Sequence, residues 1–434
     1  MIYLLALIIN ILSFGAVGDG TTDNTVAINR ALAHCHEQGG GRVVVPPGVF
    51  VTGSLHVPSG VTLWLDSQAV IKGSLELGRY QPLRTHKDLS RYSTGLGTVN
   101  DNDAANPQWS LALIHIVDAD HCGIGGSGTI DGSNVRNRLG EEGMRGPHAV
   151  IIANSRHVRV TGIRIVDAAN YAILGYELRQ AVFDHLRIEG GWDGIHLRGA
   201  YKTRISHCRL STGDDGIAGG YWQKMTVSHC DINSSCNGIR MIQPSVGLTV
   251  EDCTFSGPGR YRHITSGKTA SDAAISLEPG GWGPSPGLTD RVTLRRISCH
   301  TVLTPLSVTL ADGCPLGRLR VVGLKGDDIT RMALSVKSWG TVRSEQVKIR
   351  HAVLEFRGID DPSLPDWFKT HTTDQWPVFP SWAMYFRNVD HVSVKNVICS
   401  FTGKDYREPI LYDHVGKIDI SRTKCKRMKQ LSVL

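Results

Sequence analysis

Four segments, Asn170-Tyr-Ala-Ile-Leu-Gly-Tyr176, Gly191-Trp-Asp-Gly-Ile-His-Leu197, Ser211-Thr-Gly-Asp-Asp-Gly-Ile-Ala-Gly-Gly220 and Ser234-Ser-Cys-Asn-Gly-Ile-Arg-Met-Ile242, repeat one pattern at one interval. Their Gly-Ile pairs begin at Gly194, Gly216 and Gly238, 22 residues apart each time. A period of this length, with β-branched runs between glycine turns, is the mark of a coiled solenoid in which each repeat makes one rung and cannot bury its apolar face alone. Stacked rungs bring equivalent residues to about 4.8 Å of one another. Asp193, Asp215 and Asn237 therefore share one column, and Trp192, Asp214 and Cys236 the column beside it. Three carboxylates meet on one face within two rungs, where each raises the pKa of the others.

The whole chain fits that reading. Its 434 residues, 41% hydrophobic, are too many for one ordinary compact core, whereas a solenoid core grows with length. With 48 glycines, turns are frequent and few stretches are long and periodic enough for helices. The net charge of +7 is spread along the chain, and its densest run, Lys424-Cys425-Lys426-Arg427-Met428-Lys429, reads as a solvated tail. Nucleic acid is thus not an expected partner. Among the 10 cysteines, Cys208, Cys230 and Cys253 recur at rung spacing inside apolar alternation, as buried thiols rather than a disulfide framework. Met1–Asn10 is too short to span a membrane and lacks the basic start and cleavage site of a signal peptide, so a first strand is expected there.

Residues 1–45 read as an N-terminal strand and a cap, with a helix over Asn24–Gln38 that Thr22 or Asp23 caps and Gly39-Gly40-Gly41 ends. Pro46 and Pro47 mark a bend between strands. Residues 74–111 and 358–382 are irregular and read as loop excursions, the first a candidate cleft wall. Further Gly/Pro-bearing insertions lie at 257–270 and 280–287, and no linker or second fold interrupts residues 1–434, so one domain is expected.

Five stretches stand out along the chain: the opening Phe14-Gly-Ala-Val-Gly-Asp-Gly-Thr-Thr-Asp23, Gly126-Ser-Gly-Thr-Ile-Asp-Gly132, Asp193-Gly-Ile, Gly213-Asp-Asp-Gly-Ile217 and the closing rungs from Phe379. Together they resemble glycoside hydrolase family 28, the polygalacturonase-like enzymes on a single-stranded right-handed parallel β-helix. The opening is shared with lyases and phage β-helix proteins, while the two-rung aspartate pattern is more specific. Asp193 matches the family's first aspartate, and Asp214 and Asp215 match its pair. The family's Asn-Thr-Asp has become Gly191-Trp192-Asp193; its histidine position holds Asn237; its Arg-Ile-Lys holds Ser276-Leu277-Glu278 if Ile275 stacks on Ile239. That Arg and Lys grip a uronic acid carboxylate, which a glutamate repels.

Glycoside hydrolysis needs one acid to protonate the leaving oxygen and one carboxylate to activate water or attack. The resemblance implies Asp214 as the general acid, with Asp193 and Asp215 holding the water and inversion at the anomeric carbon. It implies a carbohydrate substrate, a secreted or periplasmic location, and no metal or other cofactor. An Asp-Gly pair alone is only a good turn former; the three aspartates one rung apart are what point to catalysis. Around them, Asn237, Arg240, Glu278 and His196 are candidate substrate-binding or orienting groups, and Trp192, Tyr221, Trp222 and Trp282 are candidate sugar platforms. Ser206-His207-Cys208 and Ser228-His229-Cys230 imitate a zinc site, but alternation points each histidine away from its cysteine. No membrane contact is expected, and a monomer is. Two other classes remain open: a polysaccharide lyase on the same coil, and a non-catalytic carbohydrate-binding or tailspike-like β-helix.

Overall fold

The structure is a computed structural model that describes residues 7–93, 102–370 and 378–428. Strands follow one another around a coil and pair in parallel with the strands of the rungs before and after. Among the described residues the exception is a short antiparallel contact of Gln81–Pro82 with Leu111 and Ala112. The core is built of columns. One runs from Val43 through Leu63, Ile124, Val160, Phe183 and Ile205 to Val227, all closed to solvent. β-branched and aromatic side chains fit such a pleated interior, and each column is covered by its neighbours rather than by a second layer.

Leu7–Asn10 is the first described strand, paired with Gly41–Val44; Met1 to Ala6 lie outside the described residues. The expected helix is α1 (Thr25–Glu37), with Asn24 at the cap position and no side-chain cap bond from it. Asp23 still accepts from the Thr25 N–H at 3.0 Å. Ile28, Ala31, Leu32 and Cys35 seat the helix on the first rungs, whereas Val26 is exposed, because a helix lid offers only one stripe to the core. The bend at Pro46 and Pro47 separates Gly41–Val45 from Gly48–Thr52 as expected.

Two expectations change. The 358–382 excursion contains a short helix, Leu364–Thr370, with residues 371–377 outside the described set. The basic C-terminal run is not a free tail: Lys424–Arg427 is a strand on Ile398–Phe401, and Lys429 lies outside the described residues. Charge outward and Cys425 on Cys399 let one segment end a solenoid while staying solvated.

Five strands position the site: β1 (Ile173–Arg179), β2 (Ile195–Tyr201), β3 (Ile217–Gln223), β4 (Asn237–Met241) and β5 (Ser271–Leu277). Ile173, Ile195, Ile217, Ile239 and Ile275 are in register, so Ile275 does stack on Ile239 and Ser276 follows Arg240 in its column. The outward face of β2 is covered by the 74–111 excursion. Tyr92, Trp109, Tyr171 and Tyr176 pack there as a second apolar cluster. Residues 94–101 of that excursion lie outside the described set.

Candidate active site

Each aspartate of the repeat stands just before a strand, where the backbone of the next rung reaches it. The Asp215 N–H donates to Asp193 Oδ1 at 3.1 Å, and the Asn237 N–H donates to Asp215 Oδ1 at 3.0 Å. Asn237 Nδ2 adds a second bond to that oxygen at 2.8 Å. One rung's amide thus fixes the previous rung's carboxyl. The glycine after each aspartate permits this approach: a Cβ on Gly216 would lie 2.4 Å from Ile232 and 2.7 Å from the Gly238 carbonyl oxygen.

The three carboxyls are not equivalent. Asp193 and Asp215 side chains are each 2% exposed, against 14% for Asp214, so Asp214 is the one open to a ligand. Burial, then the charges of Asp214 and Asp215, push Asp193 well above the ordinary carboxyl range. Burial likewise raises Asp215, to about 6, against the opposing pull of Arg240. Burial acts on Asp214 too, but His263 and Arg145 more than offset it and the net movement is downward. Such divergence among neighbouring acids is how one site keeps a proton and a base side by side.

Arg240 lies between Asp215 Oδ2, 3.8 Å away, and Glu278 Oε2, 3.2 Å away. Glu278 also accepts from the Ser276 hydroxyl. Burial raises the Glu278 carboxyl, yet Arg240 and Ser276 hold it below its usual range. The cation and anion at this end of the cleft therefore neutralise each other. His196, fully buried, donates or accepts at Asp193 Oδ2 (2.7 Å) and stacks on Tyr171 with ring centroids 4.6 Å apart. It reaches the aspartate and not a sugar. Trp282 flanks the same imidazole at 5.8 Å and the Arg240 guanidinium at 5.4 Å while remaining part-exposed, as a platform requires.

Three of the proposed platforms are placed otherwise. Trp222 is in the core, 0% exposed, its indole N–H bonded to the Leu197 carbonyl at 2.8 Å. Trp192 is buried under the Arg145 guanidinium, 4.0 Å from its ring, and has no face left for sugar. Tyr221 lies near the far end of β3, six residues and so up to roughly 20 Å from Asp215. It lines a separate cleft of about 420 Å³ with Arg91, Glu177 and Tyr201. Alternation alone does not show which side of a turn a ring leans to, and here it leaned inward or away.

The sequence reading missed four groups. His263, from the 257–270 insertion, puts Nε2 3.6 Å from Asp214 Oδ2 and so supplies an imidazole that position 237 lacks. Arg145, on the 134–147 segment, approaches Asp214 Oδ2 at 3.8 Å and Glu141 Oε2 at 3.3 Å. Glu141 is buried and, chiefly through that burial, raised. Arg198 is fully buried behind His196. His263, Arg145 and Glu141 come from loops that no spacing rule ties to the repeat, whereas Arg198 sits in the column of Tyr176 and Gly220, on the same strand face as His196.

Among the described residues, three side-chain clusters are able to hold a cation. Asp214, Asp215 and Cys236 bring ligand atoms within 4.8 Å of one another, as do Asp184, His185 and His207 and also Asp120, His121 and His157. The Ser-His-Cys pairs do not form a joint site: His207 and His229 stack on the surface 5.0 Å apart, while Cys208 and Cys230 are buried.

Residues 114–273 match the model described as a right handed beta helix region, and residues 8–101 match "Rhamnogalacturonase A/epimerase, pectate lyase-like". A probable polygalacturonase of Vitis vinifera is 26% identical over 208 residues, 45% of this chain and 40% of that protein. An exo-poly-alpha-D-galacturonosidase of Dickeya chrysanthemi is 49% identical over 67 residues, 15% of this chain and 11% of that one. The chain thus matches less than half the length of either relative. Among solved structures, the A-module of an Azotobacter vinelandii mannuronan C-5 epimerase superposes with TM-score 0.63 at 13% identity, covering 96% of this chain and 99% of that one. A Thermotoga maritima exopolygalacturonase gives 0.58 at 16%, covering 97% and 92%. The fold is that of the right-handed pectate-lyase-like β-helices, and over part of its length the chain is similar to polygalacturonases.

Proposed function

We propose that residues 1–434 act as one β-helix domain that hydrolyses a glycosidic bond in a pectic or related polysaccharide, at Asp193, Asp214 and Asp215. The observation that carries this is the carboxyl set itself: three acids on adjacent rungs, two sealed and raised, one open and paired with an imidazole. Asp214, the open member, faces the leaving oxygen; His263 and Arg145 hold its own carboxyl low, so the proton it hands over reaches it from His263, 3.6 Å away. Asp215, with its carboxyl at about 6, is ionised at neutral pH and takes the proton of the attacking water. Asp193 steadies that water beside it. Asp214 and Asp215 bring oxygens within 4.8 Å, closer than the about 6.5–9.5 Å usual for inverting sites, so inversion rests on the resemblance to family 28.

The substrate we propose is a neutral, branched or esterified glycan rather than plain polygalacturonate. The internal Arg240–Glu278 pair occupies, cation against anion, the place where a uronate carboxylate would be gripped, and the nearby Lys337 ammonium is buried on the Ser307 and Ser335 hydroxyls. An elongated ligand fits the surface, because a cavity lined by Glu278, Asp312 and Trp339 adjoins one of about 1000 Å³ lined by Trp339, Arg387 and Tyr412. Such a substrate is met outside the cell, which agrees with the expected secretion, and no helix among the described residues is long and apolar enough to cross a membrane.

The test is digestion of a panel of pectic and related glycans, with product sizing, proton NMR of the newly formed anomeric centre and absorbance of unsaturated products. Hydrolysis that Asp214→Asn reduces by about a hundredfold or more supports the reading. Unsaturated products indicate a lyase, and binding without cleavage indicates a carbohydrate-binding protein; either result overturns it.

A further inference from the structure

Behind Asp193 lies a chain of contacts that the proposed chemistry does not use. Arg198, two residues after His196 on β2, is 0% exposed. Its Nε–H donates to His196 Nε2 at 3.2 Å, and its Nη1 donates to the carbonyls of Tyr92 at 3.0 Å and Asn102 at 2.7 Å. Its Nη2 has no hydrogen-bond partner among the described residues. His196 is held flat between Tyr171 and Trp282, and its Nδ1 is 2.7 Å from Asp193 Oδ2.

A guanidinium only donates, so the nitrogen it meets must accept. Nε2 is therefore unprotonated, and a neutral imidazole then carries its one proton on Nδ1, facing Asp193. The imidazolium is disfavoured by burial first, then by Arg198, His148, Arg240 and Arg145. The opposite tautomer would set two N–H groups against each other at Nε2. From this geometry we infer that Arg198 is a positioning residue for the proposed hydrolytic site: it confines the His196 proton to Nδ1, and so holds Asp193 as an acceptor in one orientation. With Oδ2 on the imidazole and Oδ1 on the Asp215 N–H, that carboxyl has one direction left. The 74–111 excursion supplies the Tyr92 and Asn102 carbonyls that fix Arg198, so this loop acts on the site as well as walling it. This inference rests on the hydrolase reading for its effect on turnover, though not for the tautomer.

The test uses the full chain labelled with 15N and 13C in histidine. NMR separates protonated from bare ring nitrogens, and His196→Asn identifies the His196 signals. At pH 7 the expected result is a bare Nε2 and a protonated Nδ1. In Arg198→Met the single tautomer is expected to give way to a mixture, with kcat down roughly 10- to 100-fold on the glycan cleaved in the panel and KM within about twofold. Asparagine at 196 keeps a donor for Asp193 and has no tautomer to lose. Arg198→Met in that background should therefore cost no more than about twofold further. A protonated Nε2 in the unmutated chain overturns the inference, as does a full additive loss in the His196→Asn background. If Arg198→Met does not fold, Arg198→Lys, which keeps the charge, and the unmutated spectrum still decide. Absence of any glycan cleavage removes the hydrolase reading and Arg198's role in turnover, while the tautomer measurement still decides whether Arg198 sets His196.

Discussion

Replacing Asp215 by asparagine is expected to abolish turnover and, at neutral pH, to stabilise the fold. The folded chain raises this carboxyl from 3.8 to about 6, chiefly by burial. Folding therefore favours the protonated form, and the stability contributed by that proton is full below pH 3.8 and lost as pH rises through 6. The difference corresponds to roughly 3 kcal/mol. Asparagine is isosteric, keeps an acceptor for the Asn237 N–H and Nδ2–H, and carries no charge to desolvate. It gives up the 3.8 Å approach to Arg240, an attraction already counted in the value near 6. Chains of this class unfold with about 2.1 cal/mol/K per residue, so for 434 residues a 3 kcal/mol change moves Tm by about 3 °C. The assay is thermal unfolding followed by far-ultraviolet circular dichroism, for both proteins, from pH 4 to pH 8. Tm of Asp215→Asn minus that of the unmutated chain should rise by about 3 °C across this range, mostly between pH 4 and pH 6.5. A pH-independent difference, or a variant less stable at pH 7.5 than at pH 4 relative to the unmutated chain, refutes the argument that Asp215 is an ionised, desolvated base.

Two further outcomes separate packing from binding. Trp222→Ala, which empties a core position, should lose about 3–5 kcal/mol of stability in chemical denaturation. Trp282→Ala, which removes a part-exposed ring beside Arg240, should instead raise KM with a Tm shift under about 2 °C; the reverse pattern would exchange their roles. Of the 10 cysteines, nine are buried and Cys425 is half-buried, all as free thiols. A thiol reagent should therefore label at most about one group in the native protein and all 10 after denaturation, whereas fewer than 10 after denaturation without reductant would reveal disulfides.

Much of the site was legible from the 22-residue spacing because stacking turns sequence period into spatial column. The columns of Asp193, Asp215 and Asn237 and of His196, Ala218 and Arg240 follow from it without any knowledge of loops, whereas Ser276 joins the second column 36 residues later, across the 257–270 insertion. The rings read less well. Trp192, Tyr221 and Trp222 stand close to the aspartates in sequence, but one is roofed by Arg145, one is at the far end of its strand, and one is core. In a turn the side-chain direction is set by the bend, and the bend is not periodic. His263 illustrates the converse, since an imidazole absent at position 237 returns from an insertion 26 residues later, beside Asp214.

By itself, then, the sequence determined the coil, its register and the meeting of three carboxyls, because parallel stacking at about 4.8 Å leaves equivalent residues nowhere else to go. Only the tertiary structure decided how those carboxyls differ. Their protonation depends on what covers them: Arg145 and His263 from two insertions, Arg240 with its partner Glu278, and Arg198 clamped by the 74–111 excursion. Electrostatic energies depend on distance and solvent exposure rather than on sequence separation. A repeat can therefore announce where acids gather, while the loops that close over it decide which of them keeps the proton.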